Sequence, residues 1–240
     1  MRRVGVAALA AALVLAPAGG AADQARLTVF AASSLTDVLP SIDGGPSYSF
    51  AGSNQLAFQI KQGAPADVFA SAAPSYVQEL YRAGLVERPR TFASNALVLA
   101  VPRSNPAGVR TVWDLRDKKV QLVVGTAAVP IGDYTRRVLR RLGLTSAIGN
   151  AVSQEPDVKS IVGKLAVAEA DAGFVYRTDV RSARGRLRAV SIPAWAQPAV
   201  RYQVAVVRAS RSRAAARRYI ASLATPRANR LLRNAGFTVP

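Results

Sequence analysis

The stretch LTVFAASSLTDVL, residues 27–39, predicts a strand that runs directly into a helix. Its apolar start is typical of a short buried strand. Ser34 and Asp37 fit the serine-x-x-acid pattern of a capping box, so we expect a helix to begin at Leu35. Such a junction leaves free backbone N–H groups at the start of the helix, and anions often bind at that position.

The first 22 residues have the pattern of a secretory signal peptide. They begin with two arginines after the methionine, continue with an apolar run over residues 4–16, and end in small residues. The apolar run is too short to span a bilayer, which argues against a transmembrane anchor. We therefore leave residues 1–22 out of the fold and expect an exported protein, periplasmic or extracellular.

Two chemically versatile residue types are missing, since the sequence contains no cysteine and no histidine. Without cysteine there are no disulfides and no zinc–thiolate sites, and we expect no lipid anchor. Without histidine the usual general base and the commonest metal ligand are lost. The hydrolase nucleophile elbow, the Walker loop and the dinucleotide-binding glycine motif are also missing. We therefore expect a protein that is not an enzyme and has no cofactor, and we rank a carboxylate-based enzyme last.

The chain is strongly basic, with a net charge of +18 at pH 7. One interpretation is attraction to nucleic acid or another polyanion. The other is a set of solvated helix faces, and RRVLRR (136–141) spaces its arginines around apolar residues as such a face would. Aromatic residues do not interleave with the basic clusters, as base stacking would require. We therefore favour solvated faces and expect no nucleic-acid partner.

Strand-like and helix-like segments alternate along the rest of the chain, which predicts an α/β fold. Two long apolar segments, 95–102 and 202–208, bracket its middle third. If these two segments are neighbours, the middle third is an inserted domain. We then expect lobe 1 to comprise 23–101 plus 202–240 and lobe 2 to comprise 102–201. A ligand cleft would separate them, with a hinge near Pro102 and Arg201.

Four junctions between predicted strands and helices carry residues that suit an anion site. Ligands bind at strand ends in open α/β sheets, so these junctions are candidates for one cleft. Each serine taken alone is an ordinary helix cap. Together, helix N-termini from two lobes would form an anion site made of N–H and O–H donors. The junctions are Ser33 with Ser34, Ser53 with Asn54, residues 129–132 before a helix at Tyr134, and residues 155–157 before the helix that contains Val158.

These segments resemble the periplasmic molybdate-binding proteins of ABC transporters, the ModA family. The similarity covers nearly all of the chain after the signal peptide. It is carried by VFAASSLTDVL, FAGSNQLAFQIKQGAPADVFASA, VPIGDYTRRVLRRLGL, EADAGFVYRTD and RYQVAVV. The resemblance implies a two-lobed type II solute-binding fold, like that of periplasmic binding proteins, with a tetrahedral oxyanion held between the lobes by uncharged donors.

The resemblance also implies five ligand-binding residues. They are the hydroxyls of Ser34 and Ser53, the backbone amides of Ile131 and Val158, and the phenol of Tyr176. The sequence departs from the family at Ile131, where many relatives have alanine, and at Asn54, where relatives often have a hydroxyl. Its first helix is also shortened.

The implied ligand is molybdate or tungstate, and the implied partner is an ABC permease that receives it. Molybdenum would enter as its oxyanion, with no direct cation ligand from the protein. We expect a monomer.

Donors on all sides of the site suit an ion that only accepts hydrogen bonds. Phosphate at neutral pH keeps a proton and needs an acceptor, which Asp133 or Asp157 could supply. Sulfate carries no proton, so both oxyanions stay open as alternative ligands. A polyanion-binding surface protein is the less favoured alternative function.

Overall fold

The computed structural model describes residues 26–240, so the predicted signal peptide lies outside the described residues. The described residues form two five-stranded sheets with helices packed on them. Within this range, no helix combines the length and apolar character needed to cross a membrane. The strands are β1 (Thr28–Ala32), β2 (Ser47–Ala51), β3 (Val68–Ser71), β4 (Arg90–Asn95), β5 (Leu97–Pro102), β6 (Leu122–Gly125), β7 (Ala151–Glu155), β8 (Ala172–Tyr176), β9 (Leu187–Val190) and β10 (Val200–Val206).

Each sheet belongs to one lobe. The sheet of lobe 1 has the order β2-β1-β3-β10-β4, with β1 parallel to β2 and β3, and with β10 antiparallel to β3 and β4. The sheet of lobe 2 has the order β7-β6-β8-β5-β9, with β6 parallel to β7 and β8, and with β5 antiparallel to β8 and β9. Central strands such as β3, β5 and β8 are buried along their whole length because helices cover both faces of the sheets.

Helices connect the strands and carry much of the apolar surface that the sheets bury. The longest, which ends at Leu142, stops where Gly143 adopts a left-handed conformation with φ of +67°, a backbone state that glycine reaches without strain. The helices are α1 (Leu39–Ile42), α2 (Ser53–Lys61), α3 (Pro74–Arg82), α4 (Pro130–Leu142), α5 (Val158–Ala166), α6 (Arg177–Ser182), α7 (Arg213–Ser222) and α8 (Pro226–Ala235).

The chain crosses from lobe 1 to lobe 2 at Ala96, between β4 and β5. The boundary predicted after residue 101 is therefore wrong by about one strand. The apolar run 95–102 predicts a single strand, whereas Asn95 ends β4 in one sheet and Leu97 begins β5 in the other. The hinge predicted near Pro102 shifts with it. Nothing in the local composition marks this crossing.

The return crossing lies just before β10, close to the predicted position at residues 201–202. Gln197 ties the two crossings together. Its side-chain oxygen accepts the N–H of Leu97 at 3.1 Å, and its side-chain nitrogen donates to the carbonyl of Leu97 at 2.8 Å. The two connecting segments therefore run side by side, as a shared pivot requires.

The helix expected at Leu35 does not form. A short 3₁₀ turn, Ser33–Leu35, follows β1 directly, and α1 begins only at Leu39. No side chain caps either segment. The capping-box prediction is wrong because the Ser34 hydroxyl bonds to another strand of lobe 1 instead of to its own backbone.

The basic segment 136–141 is only partly a solvated face. Arg136 donates to the carbonyls of Gly125 at 2.9 Å and Gly132 at 3.0 Å, which ties α4 to the end of β6. Arg141 donates to the carbonyl of Gln197 at 2.6 Å, beside the return crossing. These two arginines therefore stabilise lobe 2, which the spacing alone did not predict.

Candidate functional site

A small cavity lies between the two lobes and brings all five sequence-predicted site residues together. The space in it that is open to the centre of a water-sized sphere is about 10 Å³, far below the range of roughly 300–1,000 Å³ typical of sites for organic ligands. The cavity therefore suits a small ion. Lobe 1 contributes Ser34 and Ser53 to the lining, and lobe 2 contributes Ile131, Val158 and Tyr176.

Ser34 lines the cavity from the 3₁₀ turn that follows β1. The residue is buried, and its Oγ lies 2.9 Å from the hydroxyl of Tyr202 on β10. A serine hydroxyl has one hydrogen to donate and two lone pairs to accept with. Ser34 can therefore bond to Tyr202 and to a ligand in the cavity at the same time.

Ser53 is the first residue of α2, at the end of β2. Its Oγ accepts the backbone N–H of Ala72 at 3.1 Å. A backbone amide can only donate, so the serine oxygen is the acceptor in this bond and its own hydrogen stays available. Ser53 is almost fully buried, and it lines the cavity. Its hydroxyl is therefore set up as a donor to a ligand.

The N-terminus of α4 supplies the Ile131 amide. The helix begins at Pro130, so residues 129–132, expected as a loop before a helix at Tyr134, instead include its first turn. Proline has no N–H, and no side chain caps this helix. The Ile131 amide is one of the first-turn N–H groups that have no partner within a helix.

The N-terminus of α5 supplies the Val158 amide. Its N-cap residue, Asp157, accepts the N–H groups of Lys159 at 2.7 Å and Ser160 at 3.1 Å, but not that of Val158. The second oxygen of the Asp157 carboxylate accepts from the Ser160 hydroxyl. Asp157 lines the cavity, yet both of its oxygens already serve the helix.

Tyr176 ends β8 and is 1 % exposed. Its hydroxyl is buried without a hydrogen-bond partner among the described residues, although it belongs to a residue of the cavity wall. Burial raises the pKa of Tyr176 well above that of an ordinary phenol, so the hydroxyl keeps its proton. An unpaired buried hydroxyl is costly, and this one is suited to donate to an oxygen atom in the cavity.

The electrostatics of the cavity favour an anion. The N-termini of α2, α4 and α5 face it, and each carries a partial positive charge. Asp133, the other carboxylate weighed as a phosphate acceptor, forms an ion pair with Arg137 at 2.8 Å and does not line the cavity. The lining therefore presents N–H and O–H donors and no carboxylate oxygen that lacks a partner.

Contacts across the cleft hold the lobes together around the cavity. The Tyr134 hydroxyl of lobe 2 donates to the Ala72 carbonyl of lobe 1 at 3.3 Å, and the Tyr76 hydroxyl of lobe 1 donates to the Ala128 carbonyl of lobe 2. Lys159 of lobe 2 forms an ion pair with the Asp37 carboxylate of lobe 1 at 2.6 Å. The sequence alone did not predict these contacts, because their partners are far apart in the chain.

The family of this chain follows from comparison with known proteins. Residues 47–238 match the family described as bacterial extracellular solute-binding protein, and the chain belongs to that family. The prediction of a two-lobed α/β solute-binding fold is thereby confirmed, as is that of a binding protein rather than an enzyme.

Individual relatives narrow the similarity. The chain is 34% identical over 234 residues to the molybdate-binding protein ModA of Mycobacterium tuberculosis, covering 93% of this chain and 88% of the relative. It is 30% identical to ModA of Escherichia coli, covering 95% of each. The fold matches the periplasmic molybdate-binding protein of Azotobacter vinelandii with a TM-score of 0.80 at 22% identity, over 90% of this chain and 100% of that one. The suspected resemblance to the ModA family is confirmed.

Proposed function

We propose that this protein captures molybdate outside the cytoplasm and delivers it to an ABC permease. The observation that carries the proposal is the donor set of the cavity, in which hydroxyls and helix N-termini from both lobes meet around a space for one small ion. Similarity to curated molybdate-binding proteins over nearly the whole chain supports the choice of ion.

In this proposal five groups hold the oxyanion. The hydroxyls of Ser34 and Ser53 donate from lobe 1. The amides of Ile131 and Val158 and the hydroxyl of Tyr176 donate from lobe 2. Helix dipoles and neutral donors compensate the charge of the ion without a buried arginine, since the partial charges at helix N-termini favour anions. The metal stays inside its oxyanion, and no cofactor takes part.

The donor set also ranks the alternative ions. Phosphate near neutral pH keeps a proton that must be accepted, whereas the Asp157 carboxylate is used by α5 and Asp133 is paired with Arg137. Phosphate is therefore disfavoured. Tungstate and sulfate present only acceptors, as molybdate does, so they remain competitors that binding measurements must rank.

The finer features of the proposal concern location and assembly. Residues 1–22 act as a signal peptide that exports the chain to the periplasm or the cell exterior, consistent with the extracellular description of the family. The absence of cysteine fits a form that is not attached to lipid through a cysteine. The protein works as a monomer, because both lobes that build the cavity come from one chain.

Isothermal titration calorimetry of the mature protein with molybdate, tungstate, sulfate and phosphate tests the proposal. We expect saturable one-to-one binding of molybdate at moderate salt and no comparable signal with phosphate. Ser53→Ala should weaken molybdate binding by about 1.5–3 kcal/mol, the value of a hydrogen bond to a charged group. If the parent protein does not bind molybdate, the proposal is refuted. If the Ser53→Ala variant binds molybdate as tightly as the parent, this role of Ser53 is refuted.

A further inference from the structure

Three buried side chains form a hydrogen-bonded chain that leads from the hinge to the cavity. Asn95 ends β4 beside the crossing at Ala96. Its Nδ2 lies 3.4 Å from the hydroxyl of Tyr202, which in turn lies 2.9 Å from Oγ of Ser34. Tyr202 is fully buried and does not line the cavity, so it reaches a ligand only through Ser34.

The direction of this chain is set at the hinge. The backbone N–H of Ala96 donates to Oδ1 of Asn95 at 2.9 Å, which turns Nδ2 toward Tyr202 and toward Thr178, whose hydroxyl accepts at 3.0 Å. An amide nitrogen can only donate, so the Tyr202 oxygen accepts from Asn95 and its own hydrogen goes to Ser34. Ser34 accepts that hydrogen and directs its own toward the cavity.

Packing keeps Tyr202 in this position. Its ring meets those of Phe92, Tyr176 and Phe237 edge to face, with centroid distances of 6.2, 6.1 and 5.3 Å. Burial raises the pKa of Tyr202 far above that of an ordinary phenol, so the hydrogen that it donates to Ser34 is always present.

We propose that Asn95 and Tyr202 are specificity-determining positioning residues, which hold the Ser34 hydroxyl as a donor so that the cavity rejects oxyanions that keep a proton. The inference rests on the proposed function, because it requires Ser34 to face the bound oxyanion. A protonated oxyanion needs an acceptor where its O–H points. With the chain in place, Ser34 presents its own hydrogen there, and two hydrogens then meet.

The test is Tyr202→Phe, which removes the hydroxyl and keeps the packed ring. The Ser34 hydroxyl can then rotate and accept. In competition against bound molybdate at pH 6, we expect the affinity for phosphate to rise about tenfold relative to the affinity for sulfate, a shift of 1.4 kcal/mol. In the Ser34→Ala background the same replacement should leave the phosphate-to-sulfate ratio unchanged.

The matched control is Tyr219→Phe, which removes another buried hydroxyl from lobe 1. The hydroxyl of Tyr219 bonds to that of Tyr48 at 3.3 Å, and Tyr219 does not line the cavity, so the phosphate-to-sulfate affinity ratio should not change. An equal change for phosphate and sulfate in Tyr202→Phe, or a ratio that still shifts without Ser34, would overturn the inference. A parent protein that binds no molybdate would instead refute the proposed function.

A second variant reverses the chain. In Asn95→Asp the ionised carboxylate can only accept, so Tyr202 would donate to it and accept from Ser34, which turns the serine hydrogen away from the cavity. At pH 8, where the carboxyl is ionised, we expect this variant to bind molybdate about tenfold more weakly than the parent, or 1.4 kcal/mol, because Ser34 then offers no hydrogen to the ion. Equal molybdate affinity of the variant and the parent at pH 8 would overturn the inference.

Discussion

The hydroxyl of Tyr176 is buried in the cavity wall, and no described residue shares a hydrogen bond with it. An unpaired buried polar group lowers stability by about 1–3 kcal/mol, whereas a hydrogen bond to a charged ligand contributes about 1.5–3 kcal/mol. We therefore expect Tyr176→Phe to keep or raise the free energy of unfolding of the ligand-free protein while it weakens molybdate binding. Urea denaturation and calorimetry measure the two effects separately.

The control for this replacement is Tyr219→Phe. Its hydroxyl is paired with Tyr48, so its loss should lower stability and leave molybdate affinity unchanged. If Tyr176→Phe binds molybdate as tightly as the parent, the phenol does not contact the ion.

Asp179 is a buried carboxyl near the cleft with an unusual protonation equilibrium. Burial raises its pKa to about 7, although Lys159, 3.8 Å away, opposes the shift. In the unfolded chain an aspartate titrates near pH 4. The folded protein therefore holds this proton more tightly, and the contribution of Asp179 to stability is full below about pH 4 and is lost as the pH rises to about 7.

Asp179→Asn isolates this contribution. The variant keeps an oxygen that can accept the Tyr176 N–H, which Asp179 binds at 3.0 Å. The free energy of unfolding of the variant should rise relative to that of the parent as the pH increases from about 4 to about 7, because only the parent must bury a charge in this range. Urea denaturation of both proteins across this range measures the difference. Parallel curves would show that Asp179 titrates normally.

At the scale of elements, the turn between β2 and α2 approaches lobe 2 at Gly52. A Cβ atom at this position would lie 2.5 Å from the Pro156 carbonyl oxygen, in the turn that leads to α5. The backbone of Gly52, with φ of −61° and ψ of 136°, is ordinary for alanine. Within lobe 1 the same Cβ would lie 2.7 Å from Oδ1 of Asn54, the end of a side chain that can shift. A side chain at Gly52 should therefore disturb mainly the contact between the lobes.

Gly52→Ala tests this close approach. We expect molybdate affinity to fall by at least about tenfold, or 1.4 kcal/mol, because the lobes can no longer meet around the ion. The melting temperature without ligand should barely change. Gly149→Ala is the control, since a Cβ at Gly149 meets no atom within 4 Å. Equal molybdate affinity of Gly52→Ala and the parent would show that the closed cleft has space for the added methyl group.

At the scale of the whole molecule, ligand donors are divided between two lobes that meet across the cleft. An ion bound to both sides favours the arrangement in which they touch, and it shifts the population by its difference in affinity for the two forms. We expect solution scattering to show a smaller radius of gyration with molybdate than without it. The pivot should lie at Ala96 and at the segment around Gln197, where the chain crosses.

The Gly52→Ala variant supplies the internal comparison, since its lobes should close less far at saturating molybdate. An unchanged scattering profile for the parent, with binding confirmed by calorimetry, would mean that the lobes are rigid. The ion would then enter a preformed site.

Local patterns predict most of the fold and mark the junctions that contain Ser34, Ser53, Ile131 and Val158, whereas Tyr176 follows only from the resemblance to a known family. Apolar runs predict β1, β3 and β8, and the helix start at Ser53 follows the end of a recognisable strand, β2. The strands β4, β7 and β9 are short or carry polar residues and have no clear strand pattern, because their pairing depends on neighbours rather than on their own composition. Similarity to a known family supplied the site residues that periodicity alone left among ordinary helix caps.

The sequence by itself determined the α/β class and indicated two lobes, because strand and helix propensities act over a few neighbouring residues. Its resemblance to a known family implied five residues of the cavity lining. Only the tertiary structure decided where the chain crosses between lobes and what orients the site hydroxyls. Ser34 matched a helix cap, yet it bonds to Tyr202, 168 positions away. Contacts at that separation leave no local trace, since either partner alone is compatible with many environments.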